Sequence, residues 1–176
     1  MITKSREIEE RAVERVADLM CIAARTAPKA KGVDNLETMI VKAREKDQIA
    51  EEMRRIARES AAPTFERDAT NIDKAALVVL LGQAVTPLGV APCAFCGFEN
   101  CSACTKSGGR CAISVGDLGI ALGSAVSVAA LHHVDNRIMY TVGRAALNLE
   151  LFGNNVQVVY GIPLSISGKS PFFDRK

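Results

Sequence analysis

Five of the six cysteines, Cys93, Cys96, Cys101, Cys104 and Cys111, fall in one stretch, CAFCGFENCSACTKSGGRC. Thiolates gathered at such short intervals suit zinc, Cu(I) or an iron–sulfur cluster better than magnesium or calcium, because polarizable sulfur matches polarizable metals. The stretch separates an apolar run ending near Gly82 from a small-residue helix beginning near Val115. It therefore reads as a cysteine-rich metal loop, residues 92–112, inserted between core elements of a single domain spanning residues 1–176.

Spacing narrows the metal. Paired CxxC units can make a tetrahedral structural zinc site, but two-knuckle zinc sites usually place about 15–20 residues between their pairs, and here four residues intervene. Cys96, Cys101 and Cys104 repeat the intervals of plant-type [2Fe–2S] loops without that pattern's distant fourth ligand. A compact [4Fe–4S] cluster fits the tight turn better, with zinc as the alternative. Gly97, Gly108 and Gly109 are expected to let the chain turn and to aim N–H groups at cluster sulfurs. Cys21 reads as a buried structural thiol. A cysteine enzyme using His132 or His133 as base is a third reading, and nothing in the sequence places either histidine near the loop, so no catalytic residue is named.

The run CAFCGFENC with a later cysteine resembles the ferredoxin-type [4Fe–4S] module CxxCGxxxxC. The stretch DLGIALGSAVSVAALHHVDNRIMYTVG and the ending GIPLSISGKSPFFDR resemble bacterial and archaeal proteins known as containing a ferredoxin domain. This resemblance implies Cys93, Cys96, Cys101 and Cys111 as ligands and leaves Cys104 as a spare or alternate; the module's last cysteine usually lies further away than Cys111 does here. A second resemblance, carried by Ala27, Pro28, Ala30, Ile40 and Val41, is to the nitroreductase-like flavoproteins, where an AlaProSerAla turn contacts FMN and leads into the first strand. Gly32, Asp34 and Leu36 stand where that family has Asn, Gln and an aromatic residue. It implies a homodimer with FMN against Pro28, Ala30 and Gly32 and against the small-residue helix at Gly119 and Gly123. The fold expected from it is α/β (α+β), a nitroreductase-like mixed sheet flanked by helices.

Composition bounds the rest. A chain of 176 residues can bury about 70% of its unfolded surface, so it has no need of disulfide staples. Residues 1–20 are charged and amphipathic without a leader-like apolar run, so a reducing cytoplasm is expected. A formal charge of +2 from 22 basic and 20 acidic residues, with 5% aromatics and no Trp, offers neither the electrostatic footprint nor the stacking platform of a nucleic-acid binder. The apolar segment Ile113–Leu131 carries Asp117 and is read as a buried helix, not a membrane span. The partner implied is a redox protein or a small-molecule electron acceptor.

The elements that must position the cysteines follow from periodicity. The first helix is expected to run from an N-cap at Ser5 to Pro28 with Ile8, Ala12, Val16, Leu19, Met20 and Ala23 inward. A strand is expected at Leu36–Val41, the alternative being a helix capped by Asp34 and Glu37. A helix over Glu45–Glu59 and a loop over residues 62–71 come next, the loop holding Arg67 and Asp68 as an anion contact or a structural ion pair. Residues 75–82, AALVVLLG, lack alternation and read as a strand buried on both faces. The small-residue helix then covers Asp117–Leu131, where another backbone or a flat ligand could come close. A helix over Ile138–Phe152 with core positions Met139, Val142, Ala146, Leu149 and Phe152 is stopped by Gly153, and a strand over Val156–Ile162 is stopped by Pro163. The tail with Phe172 and Phe173 is expected to dock, a second subunit being one place for it.

Overall fold

The computed structural model describes residues 2–173; the last three residues of the tail lie outside that range. Helix α1 (Ser5–Thr26) turns Val13, Val16, Ala17, Met20 and Ala24 inward. Ile8, Ala12 and Leu19, expected inside, are exposed, as is Ile22 at 59%. Apolar residues occupy two adjoining sides of α1, and periodicity alone does not say which side meets a neighbour. Ser5 is the first helical residue, and the cap position is Lys4, whose side chain makes no capping bond. Cys21 is half-buried against the core. Burial pushes its thiol pKa up, partly offset by a hydrogen bond with Thr38.

A single turn of 3-10 helix (Ala30–Gly32) leads to β1 (Leu36–Val41), so the strand reading holds over the capping box. Helix α2 (Ala43–Ser60) buries Ile49, Ala50 and Met53. The loop expected over residues 62–71 is instead helix α3 (Pro63–Asp73). Proline is well suited to a helix's first turn, and Phe65, Ala69 and Ile72 fall inward at helical spacing. Arg67 and Asp68 form the structural ion pair: Asp68 Oδ1 accepts from Arg67 at 2.9 and 2.8 Å, and Oδ2 accepts from Thr141 Oγ1 at 2.7 Å.

Strand β2 (Leu77–Gln83) is buried along its whole length. It pairs antiparallel with β1 on one side and with β4 (Val158–Ser165) on the other, and a two-residue β3 (Asp135–Asn136) extends the order to β1-β2-β4-β3. Leu77, Val79 and Leu81 face a core built with α1 and with α5 (Ala112–Leu131), while Val78 and Leu80 face one built with α2, α3 and α6 (Tyr140–Asn148). Two covered faces explain the absence of alternation. Each such side chain contributes about 1.5–3 kcal/mol by leaving water. Gly143 lets α6 lie directly on β4: a Cβ there would stand 1.7 Å from the carbonyl oxygen of Val159.

Three boundaries differ from expectation. Strand β4 runs through Pro163, because Gly161 exchanges both backbone hydrogen bonds with Met139. Two residues on, the proline turns its missing N–H to that same outer side, away from β2, where it interrupts only the short pairing with β3. Helix α6 stops at Asn148, before Gly153. Glu150 is left-handed (φ 54°) and the Leu151 N–H reaches back to Ala146 O at 3.1 Å, a Schellman-type ending. Helix α5 starts at Ala112, directly after Cys111. By length and composition α5 could cross a membrane, yet Leu118, Ala121, Leu122, Ala125 and Ala129 pack in the core with α1 and the sheet, and Asp117 is buried. The tail docks on its own chain: Phe172 is buried, its carbonyl accepts from Arg137 at 3.0 Å, and the Arg137 guanidinium lies 5.3 Å over the Phe173 ring.

Candidate metal centre

The cysteine segment is clamped where it leaves and re-enters the core. Gln83, last residue of β2 and fully buried, donates to Ser114 Oγ at 3.1 Å, and Ser114 donates to Ala84 O at 3.3 Å. One residue pair further out, the Cys111 N–H donates to Val85 O at 2.9 Å. The end of β2 and the first turn of α5 are thereby joined, and everything from residue 86 to residue 110 is a closed excursion. It is not all loop. Helix α4 (Cys101–Lys106) forms within it, capped by Asn100, whose side chain accepts the Ala103 N–H at 3.0 Å; such a cap contributes about 1 kcal/mol.

All five cysteines of the segment line one cavity of about 810 Å³, walled also by residues 87–92, Phe98 and the start of α5 at Ala112 and Ile113. Cys104 is fully buried and Cys111 nearly so, while Cys93, Cys96 and Cys101 are half-buried. No cysteine is in a disulfide. Burial pushes the Cys104 thiol pKa up, and a hydrogen bond with Cys96 and the fields of Cys96, Cys111 and Cys101 push it the same way. Negative sulfurs crowded together are unfavourable in the bare protein, and a cationic core inverts that sign. The N-terminus of α5, whose free N–H groups favour negative charge, also opens on the cavity. The donor set therefore fits a thiolate-bound metal group. Among the described residues, no three His, Cys, Asp or Glu side chains are drawn together tightly enough to grip a single metal ion.

The glycines act differently from expectation. Gly97 and Gly108 do turn the chain in left-handed conformations (φ 82° and 65°), but the N–H groups of Gly97, Gly108 and Gly109 donate to the carbonyls of Ala94, Thr105 and Cys104 at 2.9, 3.1 and 2.8 Å. They hold the backbone and do not point at sulfur. Gly109 is needed for space: a Cβ there would meet Phe98 Cε2 at 2.4 Å and Cys104 Sγ at 2.9 Å.

Of the residues assigned to a flavin, Pro28 and Gly32 are exposed and Ala30 is half-buried. The Ala30 N–H is held by both carboxylate oxygens of Asp117, at 3.1 and 3.2 Å. Asp117 thus ties the turn to α5, a role the sequence reading missed; its signal was a lone carboxylate in an apolar helix, since an acid is seldom buried without a partner. Gly119 and Gly123 lie on the outer flank of α5, where a Cβ would meet no atom within 4 Å. The close approach they permit is not made by any described residue of this chain. Turn and cavity adjoin, because a Cβ on Gly89 of the cavity wall would stand 3.8 Å from Lys31 Nζ. His132 and His133 lie at the far end of α5, about 30 Å from its cysteine end at 1.5 Å per residue, which removes them as bases for these thiols.

Residues 107–175 match the sequence model of a family described as "Uncharacterized protein containing a ferredoxin domain (DUF2148)". An uncharacterised protein of Archaeoglobus fulgidus is 40% identical over 183 residues, covering 99% of this chain and 98% of the relative. Among solved structures, a nitroreductase with bound FMN from Desulfitobacterium hafniense is similar with a TM-score of 0.60 at 14% identity, covering 89% of this chain and 79% of that one. A nitroreductase family protein from Clostridium novyi gives 0.59 at 14% identity over 86% and 73%. The FMN-dependent nitroreductase NfnB from Mycobacterium smegmatis, solved with NADPH, gives 0.59 at 13% identity over 88% and 78%. At these identities the likeness is one of fold: the body around the cysteine segment is nitroreductase-like.

Proposed function

Because the chain belongs to the family of uncharacterised proteins containing a ferredoxin domain, we propose that it is an iron–sulfur redox protein in which a [4Fe–4S] cluster, held by thiols of the 93–111 segment, passes single electrons. The observation that carries this reading is the convergence of five thiols on one cavity. When bound, the cluster supplies the one-electron chemistry. The chain's part is to present the thiolates, to bury the deeper ones and to open the N-terminus of α5 on them.

Coupling to FMN, as in a flavin-dependent reductase, is the finer part of the proposal. It is supported by the nitroreductase-like fold and by the open backbone at Gly32, Gly119 and Gly123. The residues that would hold the ring are those glycines with Pro28 and Ala30, beside the cavity wall at Gly89. One chain leaves this site open. We place a second copy over it, because Gly119, Ile120 and Gly123 of α5 and Ile8, Leu19 and Ile22 of α1, which packs on α5, are apolar and exposed among the described residues. A helix apolar on all sides is expected to be covered on all sides. The thiols call for a reducing compartment, with a redox protein or a small molecule as the electron acceptor.

Anaerobically purified protein is expected to be brown, to contain iron and acid-labile sulfide in matching amounts, and to give an EPR signal on reduction. Colourless protein carrying stoichiometric zinc overturns the cluster. Reconstitution with FMN that leaves no bound yellow chromophore in folded protein overturns the flavin while leaving the cluster standing.

A further inference from the structure

We infer that Lys31 supplies a fixed positive charge to the metal centre: it takes no ligand position, and its ammonium, held at the cavity wall by Gly89, favours the more negative, reduced state of the thiolate-bound cluster. The inference rests on the proposed cluster and deepens it by naming a residue that sets how readily the cluster takes an electron.

Three observations carry it. The first is that the cavity lining offers no cation. The only charged side chain among its residues is that of Glu99, which is negative, and the N–H groups of Gly97, Gly108 and Gly109 are bonded to backbone carbonyls. A cluster held by thiolates becomes more negative on reduction, and its potential follows the charge around it. Positive potential is left to the N-terminus of α5 and to whatever cation stands at the wall.

The second is where Lys31 Nζ lies. It stands 3.8 Å from the position of a Gly89 Cβ, and, chain neighbours aside, no other atom among the described residues comes within 4 Å of that position. Gly89 lines the cavity and has no side chain to hold the ammonium off. Among the described residues the ammonium has no hydrogen-bond or ion-pair partner. The neighbouring carboxylates are engaged elsewhere, Asp34 with Arg25 at 2.7 Å and Lys29 at 3.8 Å, and Asp117 with the Ala30 N–H at 3.1 and 3.2 Å. An unpaired cation set against a site that gathers negative sulfur acts on that site through space.

The third is the backbone. Lys31 is left-handed (φ 57°, ψ 14°), a conformation that favours glycine and that other residues adopt at a cost. Outliers of this kind gather at functional sites. Gly32 beside it is left-handed as well (φ 68°), so a glycine at position 31 would serve the turn. What a glycine lacks there is the ammonium.

Potentiometric titration of metal-loaded protein, followed by EPR, tests the inference. Lys31→Gln is expected to keep its full iron and sulfide content and to move the midpoint to more negative potential, by up to about tenfold in the reduction equilibrium, which is about 59 mV for one electron. Lys31→Arg is expected to keep the wild-type midpoint. Because Lys31 is exposed, the gap between wild type and Lys31→Gln should shrink at high salt, which the loss of a structural contact would not do. Lys31→Gly separates charge from folding: it relieves the left-handed backbone, so its melting temperature should hold or rise, while its redox midpoint falls with that of Lys31→Gln. A midpoint unmoved in Lys31→Gln, or moved as far in Lys31→Arg, overturns the inference. So does a wild-type midpoint that follows phosphate concentration at constant ionic strength, an effect absent from Lys31→Gln, since Lys31 would then hold a free anion. Wild-type protein that carries zinc fails the cluster reading instead. Zinc held by thiolates is still a negative group, so the charge is then read by chelator competition: Lys31→Gln is expected to release zinc several-fold more readily, and equal affinities overturn the inference.

Discussion

The cysteine segment and the turn before β1 both reach α5, one at its first residue and the other at Asp117, but they are fixed in opposite ways. The segment has an irregular backbone and converging side chains: five thiols reach one cavity, and the clamps at Gln83–Ser114 and Val85–Cys111 hold its ends. The turn has a fixed backbone and no converging side chains: Asp117 holds the Ala30 N–H, Lys29 Nζ donates to the carbonyls of Ala24, Arg25 and Ala27, and Pro28 and Gly32 face outward. A site of the first kind needs only a metal to be complete. The second presents a proline ring and a bare glycine to the outside.

The sharpest way to break the contrast is to push on the cavity's wall, at Phe98 and Cys104, from a residue outside its lining. Gly109→Val sets a side chain against Phe98 and Cys104, and is expected to weaken metal retention about tenfold to a hundredfold, the scale seen when groups orienting metal ligands are lost. The sheet and the α1–α5 core should still form. Iron content and the far-UV spectrum together check this; a Gly109→Val protein that keeps its metal would show that the packing of Phe98 and Cys104 on Gly109 does not shape the site.

Asp117→Ala attacks the other side. It leaves the Ala30 N–H without its partner, which should cost about 1–3 kcal/mol, read as a shift of the denaturant midpoint. Metal content should not change, since Asp117 is held to the turn and does not line the cavity. Parallel loss of metal and stability would mean that the two regions are one unit.

What the sequence disclosed and what it hid divide along the same line. Chemistry written in residue type was plain: the cysteine segment, and a strand with both faces buried in AALVVLLG. Features set by a partner elsewhere in the chain were hidden. The side of α1 that becomes buried is decided by α5, so Ile8 and Leu19 were placed inside although they are exposed. Helix α3 was hidden by its polar residues, yet Asp68 is buried because Arg67 and Thr141 satisfy it. Pro163 continues a strand because its missing N–H faces the outer side, a fact about register that no local rule contains. Gly97 and Gly108 were rightly read as turn-makers, Gly109 is needed for space instead, and the N–H groups of all three are taken by backbone carbonyls.

The open flank of α5 makes a smaller prediction. A Cβ at Gly119 or Gly123 meets nothing within 4 Å among the described residues, so Gly119→Leu and Gly123→Leu should each leave the monomer's stability unchanged or raise it by up to about 1 kcal/mol, the helix preference of leucine over glycine. A second copy packed on those glycines would be pushed off. Sedimentation is expected to show a shift from dimer to monomer, and a double variant with unchanged mass in solution would move the interface elsewhere.

The smallest effect concerns the far end of the turn, where Arg25 Nη1 donates to Asp34 Oδ2 and to Leu36 O, both at 2.7 Å, and Asp34 Oδ1 accepts the Leu36 N–H at 3.2 Å. Burial alone would raise the Asp34 carboxyl pKa. The Arg25 bond, the Leu36 N–H and the charges of Arg25 and Lys29 outweigh it, so the folded pKa lies below the ordinary 3.8. A carboxylate with a lowered folded pKa adds stability that is present above the unfolded pKa and is lost as pH falls through the folded one. Both partners are more than a third exposed, which limits the pair to about 0.2–1 kcal/mol. Asp34→Asn should therefore lower the melting temperature slightly at neutral pH, and the gap should close in strong acid, where the wild-type carboxyl is protonated as well. A gap that persists unchanged into strong acid would assign the loss to the bond with the Leu36 N–H and not to charge, and the entry to β1 would then be held by a local turn alone.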